Sequence, residues 1–271
     1  MEESPVLVEI CEVAPDANYH IVTLNRPQKL NAFIGPLVGA LNAAFDAAGR
    51  DKTCRAVLLT GAGRGFCAGQ DLSERLAAAD GTPPDLGASL EGWGNPLIRR
   101  MRALPVPIVC AVNGVAAGAG ANLALACDIV LAARSASFIQ AFARIGLMPD
   151  LGGTFLLTRL AGSARARGLA LLAEPLSAAH AEEWGLIWKS VEDDALMSEA
   201  HALCQRFCAA PHAALAAIKR SIDAAATNSL DQQLDLERDL QRGLGRTPDF
   251  AEGVRAFLGK RPAVFGPRGG G

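Results

Sequence analysis

Apolar and charged positions alternate along residues 6–13, VLVEICEV, as in an edge or hairpin strand. Residues 19–25, YHIVTLN, read as its partner. Arg26 and Pro27 stop that run, since proline brings no N–H to a strand ladder. Leu37, Leu41 and Phe45 then recur at helical spacing, which predicts a helix over about 34–48. Residues 56–60, AVLLT, form a short buried strand, and the apolar run 106–112 forms another, broken only by Pro107. Between these two lie a glycine-rich loop at 61–72, a loop or loosely held lid at 80–94 and a short helix over 95–104.

Residues 109–128, VCAVNGVAAGAGANLALACD, organise the chain. A strand ends there in an Asn113-Gly114 turn, and an Ala/Leu run becomes helical from about Ala119. Strands follow at 129–132 and 136–139, a helix starts near Thr154, and further helices cover 164–172 and 177–184, with a brief strand at 187–191. Amphipathic helices are expected at 195–209, 213–227, 229–244 and 249–258, and a flexible tail at 267–271. Gln232, Asp235, Glu237, Arg238 and Asp239 make a charged, solvated face. The class is α/β, with a core over 1–200 and a helical segment over 201–271.

Composition narrows the function. The chain has 271 residues, 50% hydrophobic and 20% charged, with a formal net charge of −2. That balance lacks the basic surface nucleic acid or anionic membrane demands. Asn113, Asn122 and Asp128 interrupt the most apolar run before it reaches the ~20 residues of a membrane span. The first ten residues are acidic and carry no apolar signal core. Seven cysteines and four histidines show no metal spacing, so reduced thiols in the cytoplasm are expected, and no metal.

Two glycine-rich turns carry the chemical promise. Gly118 and Gly120 stand where a turn meets a helix N-terminus, whose unsatisfied N–H groups suit an oxygen that becomes negative. Close helix–strand packing through small residues is the competing reading. Gly61, Gly63, Gly65 and Gly69 similarly let backbone approach a ligand. Two such turns suggest a pair of donors converging on one atom. Asp71, three residues before Glu74, has the spacing of a capping box and reads as an N-cap rather than a catalyst. Asp150 is a carboxylate in apolar company, either an N-cap for the helix beginning at 152–155 or a proton shuttle whose pKa burial would raise.

Five stretches in order then resemble the enoyl-CoA hydratase/isomerase (crotonase) superfamily over nearly the whole chain: LNRPQKLNAF (24–33), GRGFCAGQDL (63–72), AVNGVAAGAGANLALACDIVLA (111–132), IGLMPDLGGT (145–154) and FLGKRPAVF (257–265). The resemblance implies a crotonase-type superhelix of ββα turns, with a C-terminal helical segment that packs trimers or dimers of trimers. It implies an acyl-CoA thioester as substrate and no cofactor beyond the CoA moiety. It places an oxyanion hole at the Gln70 and Ala119 amides. Arg26, Lys29, Ala68, Gly69, Gln70, Asp71 and Leu72 fall where the family grips CoA, and Phe257 and Lys260 where it reaches the nucleotide of a neighbouring subunit.

The departures direct the reading further. Hydratases of the family use two glutamates, and those positions match Asn122 and Phe142 here, neither of which activates water. Both are expected in the substrate pocket. Asp150 matches the position where several isomerases of the family carry their acid. Residues 145–154, 156–188 and 230–246 are similar to isomerases of ring-1,2-epoxyphenylacetyl-CoA, which form an oxepin-CoA in phenylacetate breakdown, and to Δ3,Δ2-enoyl-CoA isomerases. An acyl-CoA isomerase is therefore expected. The alternatives are a double-bond isomerase or hydratase of fatty-acid degradation, and a binding protein that kept the fold without the chemistry.

Overall fold

The computed structural model describes residues 4–75 and 81–266. Strand β1 (Val6–Ala14) pairs antiparallel with β2 (Ala17–Leu24), Val6 lying opposite Leu24. Only Val6 of β1 is buried, as befits an edge strand. A 3₁₀ turn, Pro27–Lys29, leads to α1 (Gly35–Arg50), whose buried stripe is Leu37, Val38, Leu41, Ala44, Phe45 and Ala48. That stripe is the spacing read from the sequence, and Pro36 in the first turn fits the helix start. Strand β3 (Cys54–Gly61) is buried along its whole length and continues through a tight turn into β4 (Gly65–Cys67).

Residues 86–94 correct the expected lid. The chain is helical from α2 (Leu86–Ser89) through a π turn (Leu90–Gly94) into α3 (Asn95–Ala103). Asp85 caps the start by accepting the Ala88 N–H at 2.9 Å. Leu86, Leu90, Trp93, Leu97 and Met101 recur at helical spacing, and Leu97 and Met101 are fully buried. The Gly, Ser and Pro content of the segment conceals that stripe. Residue 80, where the expected lid began, and the expected tail at 267–271 lie outside the described residues.

Strand β5 (Ile108–Val112) enters β6 (Val115–Ala117) and then α4 (Ala119–Leu125). Strand β7 (Ile129–Ala133) is followed by β8 (Ser137–Ile139) and a 3₁₀ turn, Ala141–Ile145. Helix α5 (Gly153–Leu172) breaks at Gly162, so its second half starts where the separate helix at 164 was expected. Strand β9 (Pro175–Ser177), α6 (Ala178–Glu183) and β10 (Lys189–Val191) complete the sheets.

The strands form two sheets. One runs β1-β2-β3-β5-β7-β10, parallel from β2 onward, and the other runs β4-β6-β8-β9. Each passage β3–β4, β5–β6 and β7–β8 gives one strand to each sheet, so the chain winds as stacked turns. Parallel strands covered on both faces need continuous apolar runs, which β3 and β5 supply.

The remaining helices are α7 (Leu196–Cys208), α8 (His212–Ala225), α9 (Leu230–Leu244) and α10 (Pro248–Leu258). The expected boundary at residue 200 falls inside α7. That helix belongs to the core, because Leu196, Ala200, Cys204 and Cys208 all pack into it. Helices α8 and α9 have no buried residue and α10 has only Ala256. Among the described residues, no helix is long and apolar enough to cross a membrane.

Candidate active site

Strands β4 and β6 lie side by side in parallel, with Gly65 opposite Val115 and Cys67 opposite Ala116. The chain therefore leaves both strands at the same end, and the two glycine-rich turns come together there. After β4, the Phe33 N–H donates to the Gly69 carbonyl at 2.7 Å and the Asp71 N–H donates to the Phe33 carbonyl at 2.9 Å. In such a parallel bridge the amide between the two, that of Gln70, faces away from Phe33. After β6, Gly118 takes the N-cap position of α4 at φ 52°, a left-handed φ that favours glycine. The first bond of that helix runs from the Asn122 N–H to the Gly118 carbonyl at 3.1 Å, so the Ala119 N–H precedes the helical ladder. A β-carbon on Gly69 would stand 3.6 Å from the Ala119 nitrogen. The two expected turns converge.

They open onto a cavity of about 740 Å³. Ala68, Gly69, Gln70, Gly118 and Ala119 line it. Leu72, Leu86, Leu90 and Trp93 also line it, as do Phe142, Ile145, Leu147 and Met148. Phe142 is buried in the wall, and a β-carbon on Gly118 would meet its ring at 3.6 Å. The carbons of these side chains make the enclosure mainly apolar, which strengthens any hydrogen bond made inside it. Leu86, Leu90 and Trp93 are wall residues not singled out individually from the sequence, although the wall was expected between residues 73 and 97. Their helical stripe was the available signal.

Asp150 reaches the same cavity and is half-buried. It precedes two left-handed residues, Leu151 at φ 46° and Gly152 at φ 79°. The N-cap of α5 is Gly152, two residues later, so Asp150 is not the expected capping residue. Its carbonyl oxygen accepts the Gly153 N–H at 2.7 Å and the Asn122 Nδ2–H at 2.9 Å.

Asn122 corrects the expected pocket: it is fully buried and stands behind the cavity wall rather than on it. Its place in the middle of α4 turns it toward the Asp150 turn instead of the ligand space. Arg26 donates to the Ala32 carbonyl at 2.6 Å and to Asp71 Oδ2 at 3.1 Å, tying the 68–72 loop to the first turn. Asp71 Oδ1 accepts the Ser73 hydroxyl at 2.7 Å and the Ser73 N–H at 3.3 Å, as a capping aspartate does. The Ser73 hydroxyl first, and then Arg26, hold the Asp71 carboxyl below its usual range. Lys29 is exposed at the end of the first 3₁₀ turn, off the cavity wall. Phe257, 83% exposed, and Lys260, at φ 49°, also stand away from that wall. Among the described residues, no group of three His, Cys, Asp or Glu side chains is placed to hold a metal.

Known proteins match this architecture. The family model for enoyl-CoA hydratase/isomerase matches residues 16–268. The 1,2-epoxyphenylacetyl-CoA isomerase of Escherichia coli K12 is 55% identical across 90% of this chain and 93% of its own. A trans-2-decenoyl-(acyl-carrier-protein) isomerase of Streptococcus mutans is 36% identical across 90% of this chain and 93% of its own. The crystal structure of an enoyl-CoA hydratase from Polaromonas sp. JS666 superposes with a TM-score of 0.88 at 36% identity, covering 96% of this chain and 99% of that one. With its ββα turns and converging amides, the chain belongs to the enoyl-CoA hydratase/isomerase family.

Proposed function

We propose that this chain is an acyl-CoA isomerase, and that its substrate is 2-(1,2-epoxy-1,2-dihydrophenyl)acetyl-CoA, which it converts to the ring-expanded oxepin-CoA. The observation that carries this reading is that Gln70, Ala119 and one carboxylate, Asp150, line the same mainly apolar cavity. The thioester oxygen accepts the backbone N–H groups of Gln70 and Ala119 and gains negative charge as the ester becomes an enolate. Donors held in place for that charge contribute on the order of 3 kcal/mol each. Asp150 takes a proton from carbon or returns one, general acid–base work within reach of a single carboxylate. Substrate and product are isomers, so no water has to be activated. Phe142 and the buried Asn122 fit that restriction, because neither offers the carboxylate that water addition uses. The sequence similarity to the Escherichia coli isomerase supports the aromatic epoxide over a straight-chain 3-enoyl ester.

Arg26, Lys29 and the 68–72 loop are assigned to the CoA moiety. The apolar residues exposed on the last three helices, among them Ile222, Leu234 and Phe257, are assigned to a trimer interface, repeated in a dimer of trimers. Phe257 and Lys260 would there serve a neighbour's nucleotide. Seven free cysteines, six of them buried, suit the reducing cytoplasm.

Chromatography with mass spectrometry tests the reading on three thioesters: the ring epoxide, a 3-enoyl-CoA and a 2-enoyl-CoA. Products of unchanged mass are expected from the first two, with the epoxide faster. A faster 3-enoyl ester would make the chain a Δ3,Δ2-enoyl-CoA isomerase. A dominant product heavier by one water would return it to the hydratases, and binding without turnover of any ester would leave a non-catalytic protein.

A further inference from the structure

Asn122 occupies the centre of a short chain of buried amides. Gln140, 2% exposed, donates from Nε2 to Asn122 Oδ1 at 3.0 Å, and Asn122, wholly buried, donates from Nδ2 to the Asp150 carbonyl at 2.9 Å. The direction of the chain is fixed by its end. A carbonyl oxygen only accepts, so Asn122 must turn its NH₂ toward Asp150 and its oxygen toward Gln140. Gln140 must then offer its own NH₂, which leaves its Oε1 buried with no partner among the described residues. Burying an amide oxygen unpaired is unfavourable, so the arrangement is held against a penalty.

The receiving turn is built to admit the amide. A β-carbon on Gly153 would lie 2.3 Å from Asn122 Nδ2 and 2.6 Å from its Cγ, so only glycine leaves the space. Leu151 and Gly152 are both left-handed, and a non-glycine residue in that region persists only where surrounding contacts impose it. Asn122 supplies one such contact directly to Asp150, and the Gly153 N–H supplies the other.

We infer that Asn122 and Gln140 are positioning residues: together they fix the backbone of Asp150 and so aim its carboxylate at the substrate. The inference rests on the reading of Asp150 as the group that moves the proton. It gives Asn122 a part in an isomerase that does not require it to touch the ligand. Groups that orient a reacting residue commonly matter tenfold to a hundredfold, as a shift of about 1 Å at the reacting atoms does.

The test compares Asn122→Asp and Asn122→Leu with wild type across pH, on the thioester found to be the fastest substrate. Rates are divided by the number of sites that bind CoA ester in calorimetry, so unfolded protein does not enter the ratio. Asn122→Leu removes the donor at similar volume, and its rate per site is expected to fall about tenfold or more at every pH. A protonated carboxyl at 122 can donate to the Asp150 carbonyl and accept from Gln140 as the amide does. Asn122→Asp is therefore expected to work near the wild-type rate at low pH and to drop toward the leucine variant as its buried carboxyl ionises. A role in filling space alone would give no such pH-dependent rescue. Gly153→Ala and Gln140→Leu are the second pair, each expected to lower the rate per site with ester affinity unchanged. Wild-type rates per site in Asn122→Leu, or a pH-independent ratio for Asn122→Asp, would overturn the inference. An Asp150→Asn variant run alongside separates the two questions: full activity there would remove the acid–base reading itself.

Discussion

Gly69 and Ala119 stand so close that a β-carbon on Gly69 would lie 3.6 Å from the Ala119 nitrogen and 2.8 Å from the Ala117 carbonyl oxygen. The two amides assigned to the oxyanion can approach one atom only because position 69 has no side chain, and its φ of 92° also disfavours any other residue. Gly69→Ala is expected to push the turns apart and lower kcat about a hundredfold, comparable to removing one oxyanion donor. Steady-state kinetics beside a melting curve checks this, and a folded variant with unchanged kcat would place the hole elsewhere.

Phe142 lines the cavity beside Gly118. Phe142→Ala is expected to destabilise the fold by about 3 kcal/mol through the space it empties. It should also raise KM for an aromatic acyl ester more than for a short straight-chain one. Equal KM changes for both esters would show that the ring does not shape acyl binding.

Asp51 joins the end of α1 to β2. It accepts the Thr53 N–H at 2.8 Å and hydroxyl at 2.6 Å, His20 Nε2 at 2.9 Å and Asn18 Nδ2 at 3.2 Å. Burial acts to raise its pKa, but the bonds from Thr53, His20 and Asn18 outweigh that and hold it well below the usual carboxylate range. A carboxyl depressed in the fold stabilises above its unfolded value, near pH 4, and loses that contribution as pH falls toward the folded value. Asp51→Asn is expected to be less stable than wild type at pH 6 by roughly 2 kcal/mol. The gap should narrow steadily below pH 4. Urea unfolding at several pH values measures it, and a gap that widens in acid would contradict the assignment.

Ile222, 68% exposed, and Leu234, 52% exposed, lie on the helices that bury almost nothing in the single chain. Exposed apolar area of this kind marks an interface. Ile222→Lys with Leu234→Lys is expected to yield monomers by light scattering, with the circular dichroism of the fold retained. An oligomer that survives both changes would contradict the proposed interface on these helices.

Much of the fold was legible because its signals are local. The stripe of Leu37, Leu41 and Phe45 and the apolar run of β5 each lie within one element. Strands β4, β6 and β9 were not legible, since each is three residues long and lies within or beside a glycine- or proline-bearing turn that masks it. Their pairing is what brings Gln70 to Ala119, so convergence could be suspected from the glycines but not placed. Helix α2 and the π turn after it were hidden by Gly87, Ser89 and Gly92, although Leu86, Leu90 and Trp93 kept the helical period. Asp150 was singled out, but its two candidate roles differ only in where Gly152 places the cap. Asn122 was misplaced in the pocket because its partners, Gln140 and Asp150, are 18 and 28 residues away in the chain.

The central claim is that Asp150 moves the proton while the Gln70 and Ala119 amides hold the oxyanion. Single-turnover isomerisation of the ring epoxide thioester by Asp150→Asn, with ester affinity measured on the same protein, tests it most directly. The asparagine keeps the shape and loses the proton carrier, so the rate is expected to fall by roughly 10² to 10⁴ with affinity nearly unchanged. An Asp150→Asn variant that isomerises the ester at the wild-type rate would contradict the account and require another group to carry the proton.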